Sequence, residues 1–103
     1  MSKPISNSTG RRKTAIARIF VKEGGGAITV NGRDFEEYFP MVAHQNLVLF
    51  PLALTNSRLS YDILVNASGG GLSGQVGAVR LGIARALIRI NPEHRAALKA
   101  NGL

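Results

Sequence analysis

The passage from Tyr61 to Ile90 constrains the fold of this chain more than any other. Tyr61 to Ala67 alternates, with Ile63, Val65 and Ala67 on one side, as a half-buried strand does. It runs directly into Gly69-Gly70-Gly71-Leu72-Ser73-Gly74, after which the apolar period changes from two to 3.6 residues. Val76, Val79, Ile83, Leu87 and Ile90 then fall within an arc of about 80° on a helical wheel, and Leu81, Ala84 and Ile88 form a second apolar flank. A strand that feeds a mostly buried helix through a glycine turn predicts a helix packed on a sheet.

Upstream, Ala15, Ala17, Ile19 and Val21 fall on one side of a strand and Arg18, Phe20 and Lys22 on the other. Gly24-Gly25-Gly26 separates this run from Ala27-Ile28-Thr29-Val30, and the spacing predicts a hairpin with a short glycine turn. Asp34 and Glu37 have the spacing of a capping box for a short helix ending at Phe39, before Pro40. Met41 to Ser57 is apolar without a clean period, and Pro51 predicts a helix broken or restarted there. Asn91-Pro92-Glu93 opens a last helix to about Ala100, stopped by Asn101-Gly102. Residues 1–9 are polar and read as a flexible lead, leaving 10–103 as one globular domain.

Composition narrows the class. At 103 residues and 45% hydrophobic content one core is expected and a second domain is not. With no cysteine there is neither a disulfide nor a thiolate metal site, and an intracellular setting is expected. The opening residues contain no signal-peptide core, and the longest apolar run, Leu47 to Leu54, contains Pro51 and is too short to cross a membrane. His44 and His94 lack neighbouring ligands, so no metal and no cofactor is expected. The net charge of +7 is segregated: residues 1–22 carry six positive charges and no acid, residues 23–79 five acids against two bases, and residues 80–103 five bases against one acid. Repulsion within such basic blocks opposes compaction, and a polyanionic partner offsets it.

Gly69, Gly71 and Gly74 formally fit G-x-G-x-x-G, the dinucleotide-binding turn. That unit needs a second parallel strand ending in an acid about twenty residues on, where this chain is still helical. A P-loop needs Lys where Gln75 stands. Amides at the helix start can still hold an RNA phosphate, or the glycines can serve only a tight connection. On the helix itself, Gln75, Ala78, Gly82, Arg85 and Arg89 share a stripe whose small residues and arginines suit a closely approaching phosphate backbone, an ordinary solvated basic face being the alternative. Ser73 and the carboxylates Asp34, Glu36 and Glu37 assemble into no acid–base pair, so no enzymatic activity is expected. Of six aromatics only Phe20 lies among basic residues, which favours phosphate and shape recognition of folded RNA over base stacking.

Two motifs then carry a resemblance. Gly69 to Leu87 resembles the signature of the small-subunit ribosomal protein S-nine family of bacterial or organellar type, and Gly10-Arg11-Arg12-Lys13-Thr14-Ala15 with Ala17-Arg18 resembles its N-terminal motif. Asn31-Gly32-Arg33 and Gly102-Leu103 fall where the family has similar residues, so the resemblance spans about residues 8 to 103. It implies an α+β fold of the ribosomal-protein-S-five-domain-two-like kind, one sheet with helices packed on a face and a left-handed β-α-β crossover, where general chirality would have predicted a right-handed one. It implies a structural constituent of the small ribosomal subunit, cytoplasmic or in an organellar ribosome, contacting ribosomal RNA and neighbouring head proteins near the transfer-RNA sites. The implied RNA contacts are Arg11, Arg12, Lys13 and Arg18 from the first motif and Gly69, Gly70, Gly71, Gln75, Arg80 and Arg85 from the second; the helix stripe adds Arg89. Family members continue past the Gly-Leu with a basic tail that reaches peptidyl-site transfer RNA, and no residue here takes that role. The same general fold occurs in small-molecule kinases, so an ATP-binding fragment is the second reading.

Overall fold

The structure, a computed structural model, describes residues 4–103. Its elements run β1 (Ser6–Arg12), β2 (Ala15–Glu23), β3 (Ile28–Val30), β4 (Arg33–Asp34), α1 (Phe35–Tyr38), α2 (Val42–Leu54), β5 (Tyr61–Ser68), α3 (Leu72–Ile90) and α4 (His94–Ala100). One mixed sheet has the order β1-β2-β5-β3-β4. β2 is antiparallel to both β1 and β5, while β3 is parallel to β5 and antiparallel to β4. The parallel pair is joined through β4, α1 and α2, which form the crossover. The α+β class with helices on one sheet face is therefore as expected.

Period-two alternation decides which face is covered. Ala15, Ala17, Ile19 and Val21 of β2 and Ile63, Val65 and Ala67 of β5 are buried, and α3 packs over β1, β2 and β5 with Val76, Val79, Ile83 and Leu87 inward. Val48 and Leu52 of α2, Phe39 and Leu98 complete the core, each removed from water at a gain of about 1.5–3 kcal/mol for a large apolar side chain. Ile90, expected on the core face, is half-buried at the helix end.

The expected hairpin between β2 and β3 does not form: β5 lies between them. The glycine connection instead wraps the Asp62 carboxylate at the start of β5. The amides of Gly25, Gly26 and Ala27 donate to Asp62 Oδ1 at 3.0, 3.2 and 3.0 Å. These bonds, the Ala27 amide foremost, with the amides of Gly25 and Gly26 and the charge of Lys22, hold the Asp62 pKa below its ordinary 3.8. A folded-state pKa below the unfolded one contributes stability above pH 3.8 that is lost as pH falls through the lowered value. In acid unfolding titrations, Asp62→Asn is expected to be less stable near neutrality and to lose less stability below pH 3.8 than the native chain.

The flexible lead expected over residues 1–9 is also corrected. Residues 1–3 lie outside the described residues, but Ser6 to Thr9 belong to β1. Polar residues build a buried strand there because Ser6 Oγ donates to the Ala86 carbonyl at 3.0 Å and Ser8 Oγ to that of Gly82, so the hydroxyls are satisfied by α3. Asp34 is the N-cap of α1 but its side chain makes no capping bond, so the capping box is absent. α2 continues through Pro51 without a break. The missing amide would have paired with the carbonyl of Leu47, a residue exposed to solvent.

Candidate nucleic-acid interface

β1 and β2 are joined by Lys13-Thr14 alone, Arg12 pairing with Ala15, and Lys13 takes a left-handed φ of 56°. This tip lies against the glycine connection from β5 to α3. Gly69 and Gly70 have φ of 75° and 60°, and a Cβ on Gly69 would stand 2.4 Å from the Thr14 carbonyl oxygen. Only glycine meets both demands. The two motifs, more than fifty residues apart in sequence, thereby form one groove of about 600 Å³: Arg12, Lys13 and Thr14 on one wall, Gly70 to Gly74 as its floor, and Met41 and His44 from the start of α2 opposite. Among the described residues no carboxylate lines it. The N-terminus of α3 opens there with no side-chain cap and no acid in its first turn. Two cations and a helix-dipole end in an acid-free groove attract an anion.

Gln75 is turned inward and does not face that groove. Its Oε1 accepts from Tyr38 Oη at 2.6 Å and its Nε2 donates to the Gly69 carbonyl at 3.1 Å. Tyr38 Oη accepts from Asn31 Nδ2 at 3.2 Å, and Asn31 also brackets Ala67, donating to its carbonyl and accepting from its amide. Gln75 therefore positions the glycine loop. Tyr38→Phe is expected to cost about 1 kcal/mol and to speed amide hydrogen exchange at Gly69 to Gly71 while leaving core amides protected.

The small-residue stripe has a different use from the one expected. Ala78 and Gly82 are buried beneath β1 and β2: a Cβ on Gly10 would lie 1.8 Å from the Ala78 carbonyl oxygen, and one on Gly82 would lie 2.4 Å from Ile19 Cγ1. The stripe seats the strand against the helix and leaves no room for a phosphate backbone. Arg85 and Arg89 are exposed, and each donates through Nη1 to an edge carbonyl of β1, Arg85 to Thr9 at 2.7 Å and Arg89 to Asn7. Their remaining N–H groups line that edge. Arg12 crosses Gly77, with Cγ 3.0 Å from where a Cβ would be, and joins half-buried Arg80 in a second groove on the α2 side. Arg80 stacks over Phe50 at 5.5 Å. Arg11 is exposed near the tip, while Arg18 projects from the open face of the sheet, 5.8 Å over the Phe20 ring.

Sequence reasoning missed Thr14, Met41 and His44 as groove walls, because nothing in their local spacing ties α2 to the hairpin tip. It foresaw charge segregation, which strand order converts into geometry. β1 is one sheet edge and carries Arg11, Arg12, Arg85 and Arg89 on or against it; β4 and α1, at the opposite edge, carry Asp34, Glu36 and Glu37. Four inter-strand spacings separate those edges, about 19 Å. A model of the family described as ribosomal protein S9/S16 matches residues 10–103.

The chain belongs to the ribosomal protein S9/S16 family.

Its relatives in that family are similar along nearly the whole chain. It is 55% identical over 103 residues to the small ribosomal subunit protein uS9 of Maridesulfovibrio salexigens, covering 100% of this chain and 79% of that protein. Identity to the protein of the same name from Bacteroides thetaiotaomicron is 54% over 98 residues, covering 95% of this chain and 77% of that protein. For that of Borrelia hermsii it is 49% over 98 residues, covering 95% and 72%. The ATP-binding alternative finds no support: the matched family is ribosomal, and α3 is followed by α4 where a nucleotide-binding unit requires a parallel strand.

Proposed function

We propose that this S9/S16-family chain is a structural constituent of the small ribosomal subunit that binds and holds folded ribosomal RNA. The observation that carries the reading is the acid-free groove in which Arg12 and Lys13 meet the glycine floor and the start of α3. Phosphates on this groove are held by two cations and by amides that glycine leaves accessible. Arg85 and Arg89 continue the basic margin along β1, and Arg11 lies on that strand between them and the tip. Arg18 and Arg80 contact RNA from the flanking surfaces, and Gln75 acts through the loop it holds. The chain acts by binding, without catalysis. Its place is in the subunit head, near the transfer-RNA sites and beside other head proteins, the setting implied by the S-nine resemblance.

The test is to sediment a lysate of the source cells through a high-salt sucrose gradient and probe the fractions for this protein. It is expected to migrate with the small subunit and to survive the wash. Recovery at the top of the gradient while ribosomes remain intact overturns the reading.

A further inference from the structure

Among the described residues the helices pack on one face of the sheet, and the other face is open. On it β2 presents Ile16, Arg18, Phe20 and Lys22 in succession, and the paired registers set Phe20 opposite Leu64 and Arg18 opposite Asn66. Ile16 and Leu64 are 36% and 45% exposed although both are large and apolar. A depression of about 610 Å³ runs over Phe20, Lys22, Thr29, Leu64 and Asn66. Among the described residues one carboxylate lines it, Asp62, which is already engaged by three amides of the glycine connection.

We propose that this open face is a second RNA surface, which takes unpaired nucleotides with their bases laid on Phe20 and Leu64 and their phosphates on Arg18 and Lys22. It rests on the RNA-binding reading above but concerns a different surface and a different RNA form. Chemistry selects the occupant. The core of a protein interface is contiguous and apolar, with charged residues depleted. Here the open-face side chains of β2 stand about 7 Å apart along the strand and alternate apolar with cationic, Ile16, Arg18, Phe20 and Lys22, so each apolar side chain has a cation beside it. That pattern suits a polymer that carries both flat apolar bases and anionic phosphates. A half-buried ring with a guanidinium over one flank also suits stacking of a further planar group, a contact that tolerates any base because each has a π-face. The proposal departs from the sequence expectation that one aromatic among basic residues, Phe20, favours phosphate and shape recognition over base stacking, because β5 sets Leu64 beside that ring and Asn66 beside Arg18.

The experiment follows the methyl groups of Ile16 and Leu64 by NMR in the full chain during titration with an unpaired uridine octamer and, separately, with a fully paired RNA hairpin stem. The octamer is expected to shift both methyls upfield, as bases stacked over them would. Leu64→Glu, at an exposed position, is expected to weaken octamer binding at least about tenfold, and Phe20→Leu about five- to tenfold, with binding of the stem little changed. Thermal unfolding checks that both variants are folded. If the stem binds at the glycine groove while the octamer leaves the methyls unmoved, this proposal fails and the groove reading stands; if neither RNA binds, both fail. Methyl shifts produced only by another small-subunit protein overturn it in favour of a protein interface.

Discussion

Between about 50 and 200 mM salt, the affinity for folded small-subunit RNA is expected to fall on the order of a thousandfold, because each neutralised phosphate releases a counterion. About six to ten phosphate contacts produce that loss, and the arginines and lysines of the tip, the β1 edge and the open face are enough to supply them. Replacing Arg11, Arg12 and Lys13 together by Ala is expected to weaken binding across RNA sequences and to flatten the log–log salt slope by roughly two to three. The unfolding midpoint is expected to change little, since all three side chains are exposed. Filter binding across a salt series with thermal unfolding in parallel measures both. A flat salt response in the native chain would defeat the basic-margin account, and loss of folding in the variant would make the tip structural.

The second large effect is on the fold. Gly10→Val is expected to abolish stable folding, at a cost above about 3 kcal/mol, beyond the usual range for overpacking. The added Cβ would lie 1.8 Å from the Ala78 carbonyl oxygen and 2.5 Å from the Gly82 amide nitrogen. Both are helix backbone, held by α3's own ladder, and cannot turn aside as a side chain can. Gly25→Ala is the control: nothing lies within 4 Å of its Cβ position, and a change within about 0.5 kcal/mol is expected. Thermal or denaturant unfolding of the two variants separates them, and a folded Gly10→Val protein would show that β1 can lift from α3.

Legibility in the sequence followed the reach of the signals. Period-two and period-3.6 patterns are local, so β2, β5 and α3 and their inward faces could be read directly from residues such as Ile19, Val65 and Ile83. β1 could not, because Ser6, Ser8 and Gly10 look like a solvated lead until Ala78, Gly82 and Ala86 are placed opposite them. Strand order was likewise unreadable between β2 and β3, where the glycines suited a hairpin but were needed to wrap Asp62. At the candidate site, Arg12, Lys13 and Gly69 to Gly71 could be named from two separate motifs, but only the fold brings Arg12, Lys13, Gly70 and Gly71 around one groove with Gly69 against Thr14. Only the fold, too, turns the Gln75 side chain to Tyr38 and the Gly69 carbonyl.

By itself, then, the sequence determined the class of fold, the inward faces of its long elements, the family, and a basic character suited to a polyanion, because each is encoded in residue type and short-range spacing. Only the tertiary structure decided that β5 enters between β2 and β3, that the small stripe of α3 seats β1, and that Arg85 and Arg89 of α3 join Arg11 and Arg12 along one edge of the sheet. Those outcomes depend on which surfaces meet across the core, and close approach of backbone to backbone, as at Gly10 and Gly82, leaves no periodic trace in the chain that makes it.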